Sequence, residues 1–168
     1  ASIGSSVLSS RFAEKPPETP ANAAATPASG WRPIETYNIA ASGGSVWFID
    51  FHVIRKVSGG NIQRVAGTHD PAAAGVGGPV ADSKLRSLTS VTSDAQGNYY
   101  FSDIYTHSVY KAPPDLSNLT LLIGTGYPGY NGEAGSGRQF TLNRPIDVEV
   151  DAAGNVYVSD VWNARIVK

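Results

Sequence analysis

Three aspartates stand at one recurring position of the chain: Asp50, Asp103 and Asp160. Carboxylates that converge are oxygen ligands, so a recurring set raises the question of a cation site. The competing use is local. An Asp that closes a strand accepts backbone N–H groups of the following turn, and it does so in every copy of a repeat. That structural role is expected for all three, together with Gly97 and Gly154, which suit hairpin turns at positive φ. The histidines form no ligand set. His52 and His107 occupy related positions, but the third copy has Ala164 there, and His69 lies beside Asp70 in a loop. One histidine per copy is not a zinc pattern. No metal, catalytic residue or other cofactor is expected. The serines sit in turns and tails without a paired histidine, which leaves no nucleophile triad. The glycines of GTGYPG and AGSG lead into no helical period, so no helix N-terminus waits there for a phosphate.

What remains is recognition chemistry. Two glycine-rich loops, GTHDPAAAGVGGPVAD and GTGYPGYNGEAGSGRQ, alternate with the short segments Tyr105-Thr106-His107 and Trp162-Asn163-Ala164. Alternating strand direction puts these loops on one face. Exposed aromatic rings on such loops make anchors for a protein, a peptide or a glycan. The candidate binding residues are Tyr105, His107, Tyr127, Tyr130, Trp162, Asn163 and Arg165. The alternative is that the rings fold back to plug seams of the scaffold.

The elements that carry these loops follow from a repeat. Val65–Lys111 slides onto Leu122–Lys168 at an offset of 57 without a gap, and 15 of the 47 pairs are identical. The block Asp94, Ala95, Gly97, Asn98, Tyr100, Ser102, Asp103 meets Asp151, Ala152, Gly154, Asn155, Tyr157, Ser159, Asp160. A weaker copy, ASGGSVWFID, ends at Asp50 and is shortened after it. Each copy spells short strands. Ile146, Val148 and Val150 alternate with Asp147 and Glu149, the period of a strand with one buried face. Ala153-Gly154-Asn155 reads as a hairpin turn, Val156-Tyr157-Val158 as the next strand, and Arg165-Ile166-Val167 as a third. In the middle copy Leu119–Ile123 reads as a fourth. Trp47, Tyr100 and Tyr157 form one column of large rings, expected between the sheets. Four-stranded meanders in series are propeller blades, so the fold class is all-β, an incomplete propeller.

Composition agrees. Charged residues are 16% of the chain, whereas Gly (18) and Pro (11) are frequent, which suits turn-rich β structure. The net charge is −1, and the 13 basic residues are spread along the chain, so no nucleic-acid surface is expected. There is no cysteine, which removes disulfides and thiol chemistry. No apolar run is long enough for a membrane span. Residues 1–30 include EKPPETPANAAATPASG, too poor in bulky apolar residues to fold alone, and are expected to be a tail or linker with one short strand near residues 5–10. The sequon at Asn118 is a glycosylation candidate and fits a secreted or extracytoplasmic protein.

With these residues in view, the chain resembles the NHL-repeat β-propeller family. GTGYPGYNGEAGSGRQFTLNRPIDVEVDAAGNVYVSDVWNARIVK matches the family's repeat nearly throughout. The middle copy departs at Leu88, Thr106 and Ser108, where the last has Pro145, Asn163 and Arg165. The resemblance implies blades over about 31–66, 67–124 and 125–168. Propellers close with more blades than this. The ring is therefore expected to be completed by self-association or by the remainder of a larger propeller chain. The expected function is a non-catalytic interaction module that binds a protein, peptide or glycan through the loop face. The alternative is part of a metal-dependent propeller enzyme, a lyase or hydrolase. The amidating lyases, of related architecture, hold metal with channel histidines, but no residue pattern here matches theirs. RNA binding, as in tripartite-motif relatives, ranks last: Arg138, Arg144 and Arg165 face Asp160 and Glu133.

Overall fold

The computed structural model describes residues 26–27, 36–42, 44–50, 52–67, 80, 83, 85–132 and 135–168. The short strand expected near residues 5–10, and His69, Asp70 and Glu133, lie outside the described residues. Of the tail expected over residues 1–30, only Thr26–Pro27 is described.

The described residues form three antiparallel sheets. The first contains β1 (Thr26–Pro27), β2 (Thr36–Ser42), β3 (Ser45–Asp50), β4 (Val53–Ser58) and β5 (Asn61–Ala66), in the order β1-β5-β4-β3-β2. The second is β6 (Leu88–Ser93), β7 (Tyr99–Asp103), β8 (Ser108–Ala112) and β9 (Thr120–Gly124), in chain order. The third is β10 (Pro145–Val150), β11 (Val156–Asp160) and β12 (Arg165–Val167). Each sheet is a meander of propeller-blade type, and the ring is not closed.

Local chemistry explains the hairpins. Asp94 accepts N–H bonds from Gln96 and Asn98 (3.0 and 2.9 Å), an amide bond from Asn98 and the hydroxyl of Tyr100 (2.8 and 2.9 Å). Asp151 repeats the arrangement with Ala153, Asn155 and Tyr157. Gly97 and Gly154 complete these turns at φ +81° and +84°, where a side chain would be strained. Lysines of the next strand, or just past its end, then lie over the rings: Lys56 of β4 over Trp47, Lys111 of β8 over Tyr100 and Lys168, after β12, over Tyr157, at 5.0, 5.0 and 5.5 Å.

β2, β6 and β10 each carry a register shift near the start, between Thr36 and Ile39, Leu88 and Ser90, and Pro145 and Asp147. This corrects the simple alternation expected for β10. The extra residue turns Ile146 outward, to 43% exposure, while Pro145 and Val148 are buried.

The core lies in the seams between sheets. Trp47, Ile49 and Ile54 meet Leu88, Val91 and Phe101 in the first seam. Tyr100, Val109 and Ile123 meet Phe140, Leu142, Val148 and Val158 in the second. Tyr157, on the far side of the last sheet, is half-buried. Polar bonds cross the seams as well. The Asn38 side chain accepts Val91 N–H (3.2 Å), and Thr89 and Ser102 donate to the carbonyls of Pro145 and Ile146 (3.3 and 3.1 Å).

Candidate functional site

The loop face is built on the buried aspartates. Asp103 ends β7 and accepts N–H bonds from Arg86 and Ser87 (2.7 and 3.3 Å) and from Tyr105 and Thr106 (3.0 and 3.1 Å). One carboxylate thereby fixes both the lead-in to β6 and the loop carrying Tyr105. Asp160 ends β11 and accepts Asn143 N–H (2.6 Å), the Asn163 amide (2.8 Å) and Arg165 Nε (2.8 Å). Asp50 pairs with Arg55 Nε at 2.7 Å. The middle copy has Ser108 where the last has Arg165, and there Asp103 has four backbone N–H groups in place of a guanidinium. Among the described residues, no three His, Asp or Glu side chains gather as a metal-ligand set.

The loops end alike. His107 and Ala164, one repeat apart, both take the left-handed conformation, at φ 50° and 49°. The seam adds a third such residue, Arg144, at φ 54°. Its N–H donates to His107 Nδ1 at 3.1 Å, which ties the loop of the second sheet to the start of the third. Burial lowers the His107 pKa, and the Arg144 charge lowers it further, against the charges of Asp103 and Asp160; the neutral ring thus favoured is the form whose Nδ1 accepts that bond. His52 is lowered too, by burial, against a hydrogen bond to the Arg86 backbone and the charge of Asp103.

The expected binding residues fall into two groups. Tyr105, His107 and Trp162 surround Arg144. Tyr105 and Arg144 line a cleft of ≈ 240 Å³ with Ser87, Leu88, Thr89 and Ile104. The Arg144 guanidinium lies 3.9 Å above the Trp162 ring, and that of Arg86 lies 5.8 Å above Tyr105. Tyr105 is 57% and Trp162 61% exposed. Each ring therefore offers area to solvent despite its arginine. Neither guanidinium pairs with a carboxylate among the described residues.

The second group holds the glycine-rich loop. Arg165 donates to the carbonyls of Gly132 and Thr141 (2.6 and 3.0 Å) and stacks over Tyr130 and Phe140 (4.6 and 4.5 Å). Its side chain is only 9% exposed. Asn163 donates to the Gly129 carbonyl at 2.8 Å. The structure thus places Arg165 and Asn163 as fasteners behind the surface, while Tyr130 and Tyr127 remain exposed. Asn118 is exposed just before β9. Arg86 and Arg144 are absent from the expected binding set. Their positions differ by 58 residues, one more than the repeat, so an ungapped alignment sets them against Asn143 and Ser87.

The NHL repeat family model matches residues 142–168, the strands and loop that hold Trp162 and Arg165. The chain carries an NHL repeat. No curated protein matches the chain. Solved structures do. A structural genomics protein of unknown function from Bacteroides thetaiotaomicron VPI-5482 superposes with a TM-score of 0.64 at 17% identity, over 73% of this chain and 31% of that one. An auxiliary nutrient binding protein from Bacteroides ovatus ATCC 8483 gives 0.60 at 23% identity, over 76% and 35%. Virginiamycin B lyase from Staphylococcus aureus gives 0.53 at 13%, over 78% and 36%. At such identities the likeness speaks for the NHL-type fold alone. The chain spans about a third of the length of these structures.

Proposed function

We propose that the loop face of these NHL blades is a non-catalytic binding surface for a protein, peptide or glycan. The observation that carries this reading is the stacking of arginines on exposed rings beside a cleft: Arg86 on Tyr105 and Arg144 on Trp162, with Tyr105 and Arg144 in the cleft's lining. Rigid aromatic faces supply contact area at small entropic cost, and a planar guanidinium adds orientation. The likeness to nutrient binding proteins supports a binding role. The three blades act as an arc of a larger propeller, completed by further blades of the same polypeptide or by a second copy, in a secreted or extracytoplasmic setting. Native mass spectrometry of the protein from its source separates the two modes of completion.

The loop-face reading predicts that Trp162→Ala and Tyr105→Ala each weaken ligand binding about tenfold or more while the near-ultraviolet circular dichroism of the remaining rings persists. Calorimetric titration checks this. Unchanged affinity in both variants would remove this face as the site.

A further inference from the structure

Resting on the loop-face reading, we infer that the cleft between the second and third sheets takes a carboxylated sugar residue, with the carboxylate on Arg144. Tyr105 and Arg144 line the cleft, and each stacks with a partner beside the lining: Arg86 lies over Tyr105, and Arg144 lies over Trp162. Among the described residues, the carboxylates whose charge reaches His107 in this seam, Asp103 and Asp160, are already used. Asp103 is buried and holds four backbone N–H groups, and Asp160 is buried and holds Asn143, Asn163 and Arg165. Among the described residues the unspent charge there is therefore positive, although the whole chain is at −1. A guanidinium stacked on a ring keeps its edge donors free, and these match a carboxylate in bidentate geometry.

The rest of the cleft selects the body attached to that carboxylate. At ≈ 240 Å³ it falls below the range typical of whole-ligand pockets, so it suits one ring-sized unit of a longer chain. Leu88 and Ile104 give it an apolar wall, and Tyr105 gives it a flat face. Ser87 also lines it, and its hydroxyl makes no hydrogen bond among the described residues. A uronate ring meets all three requirements, with an apolar face for Tyr105, hydroxyls for Ser87 and a carboxylate for Arg144. An acidic peptide would satisfy the cations but has no hydroxyl-bearing ring for the cleft. Arg86 would bind the next carboxylate along the chain.

The test is calorimetric titration of the full chain with trigalacturonate, with its methyl ester and with a triglutamate peptide. The expected result is binding of the acid and its loss on esterification. Arg144→Gln should weaken binding about tenfold or more, and Arg86→Gln by less. Arg144→Lys should not restore the lost affinity, because an ammonium has no planar fork. If Arg144→Gln disturbs the fold, the ester comparison and the exposed Arg86 still decide. Equal binding of the ester, unchanged affinity in both Gln variants, binding of the peptide alone, or no binding of the acid would each overturn the assignment. Neutral glycans that bind and are lost in Trp162→Ala would leave the loop-face reading standing and sink only the carboxylate. Trp162→Ala and Tyr105→Ala variants that keep every affinity would sink both.

Discussion

His107 shows how a single side chain joins scaffold and site. Its Nδ1 accepts the Arg144 N–H, and burial together with the Arg144 charge lowers its pKa. His52 is shifted the same way. The folded state therefore disfavours protonation relative to the unfolded chain, whose histidines titrate near 6.5. The stability tied to neutral histidine is complete above that value and is lost as the pH falls through the lower folded values. Urea midpoints should fall between pH 7 and pH 5, and His107→Gln should flatten part of that slope. A slope unchanged by His107→Gln would show that the bond to Arg144 carries no such linkage. At this scale the sequence was partly legible. Asp50, Asp103 and Asp160 read as turn-capping carboxylates, since a residue repeated in every copy serves what every copy shares. Asp103 accepts two N–H groups of its following turn, whereas Asp160 binds the side chains of Asn163 and Arg165 and Asp50 that of Arg55. The same carboxylates reach further than a turn, to Arg86, Asn143 and Arg165, because residues distant in the chain meet them only after folding.

Among the elements, close approach sets the tightest constraint. Gly124 ends β9 at φ +112°, and a Cβ there would stand 2.5 Å from the His107 carbonyl oxygen and 2.6 Å from Ser108 Oγ. Gly67, one repeat earlier, meets the His52 carbonyl in the same way. Gly124→Ala should cost about 2 kcal/mol or more, from the clash and the strained backbone together, read as a lower urea midpoint at constant slope. A neutral result would mean that the β8–β9 edge can shift without loss. The strands themselves were legible through their period and turns. The residue-level outcome in β10 was not. The shift between Pro145 and Asp147 exposes Ile146, and a bulge leaves no mark in a binary pattern. Arg86 was missed, and Arg144, counted on the loop face, was left out of the binding set, for a related reason: the loops before β6 and β10 place them one position apart in the repeat.

For the whole molecule, the seams carry the stability. Phe101 is fully buried in the first seam, facing residues of both sheets. Phe101→Ala should cost about 3–5 kcal/mol and should lower hydrogen-exchange protection in β3 as well as in β7. Loss confined to β7 would mean that the sheets unfold independently. The third sheet has three described strands, and Ile166 in β12 is 68% exposed, so protection should be lowest there. Fold type was legible because blade signals repeat, whereas the cleft lies between copies, where no single copy records it.

The fastening of the glycine-rich loop has a consequence for ionic strength. Arg165 meets Asp160 with its side chain 9% exposed and the carboxylate fully buried. Mobile ions screen such a pair far less than an exposed one. Arg86, over Tyr105, is exposed, and Arg144, in the cleft's lining, is half-buried, so both are within reach of counterions. Added salt should therefore dim the field that draws an anion to the cleft while leaving the loop wall in shape. The slope of affinity against salt then reports the charge of the ligand, undistorted by loosening of the surface that holds it.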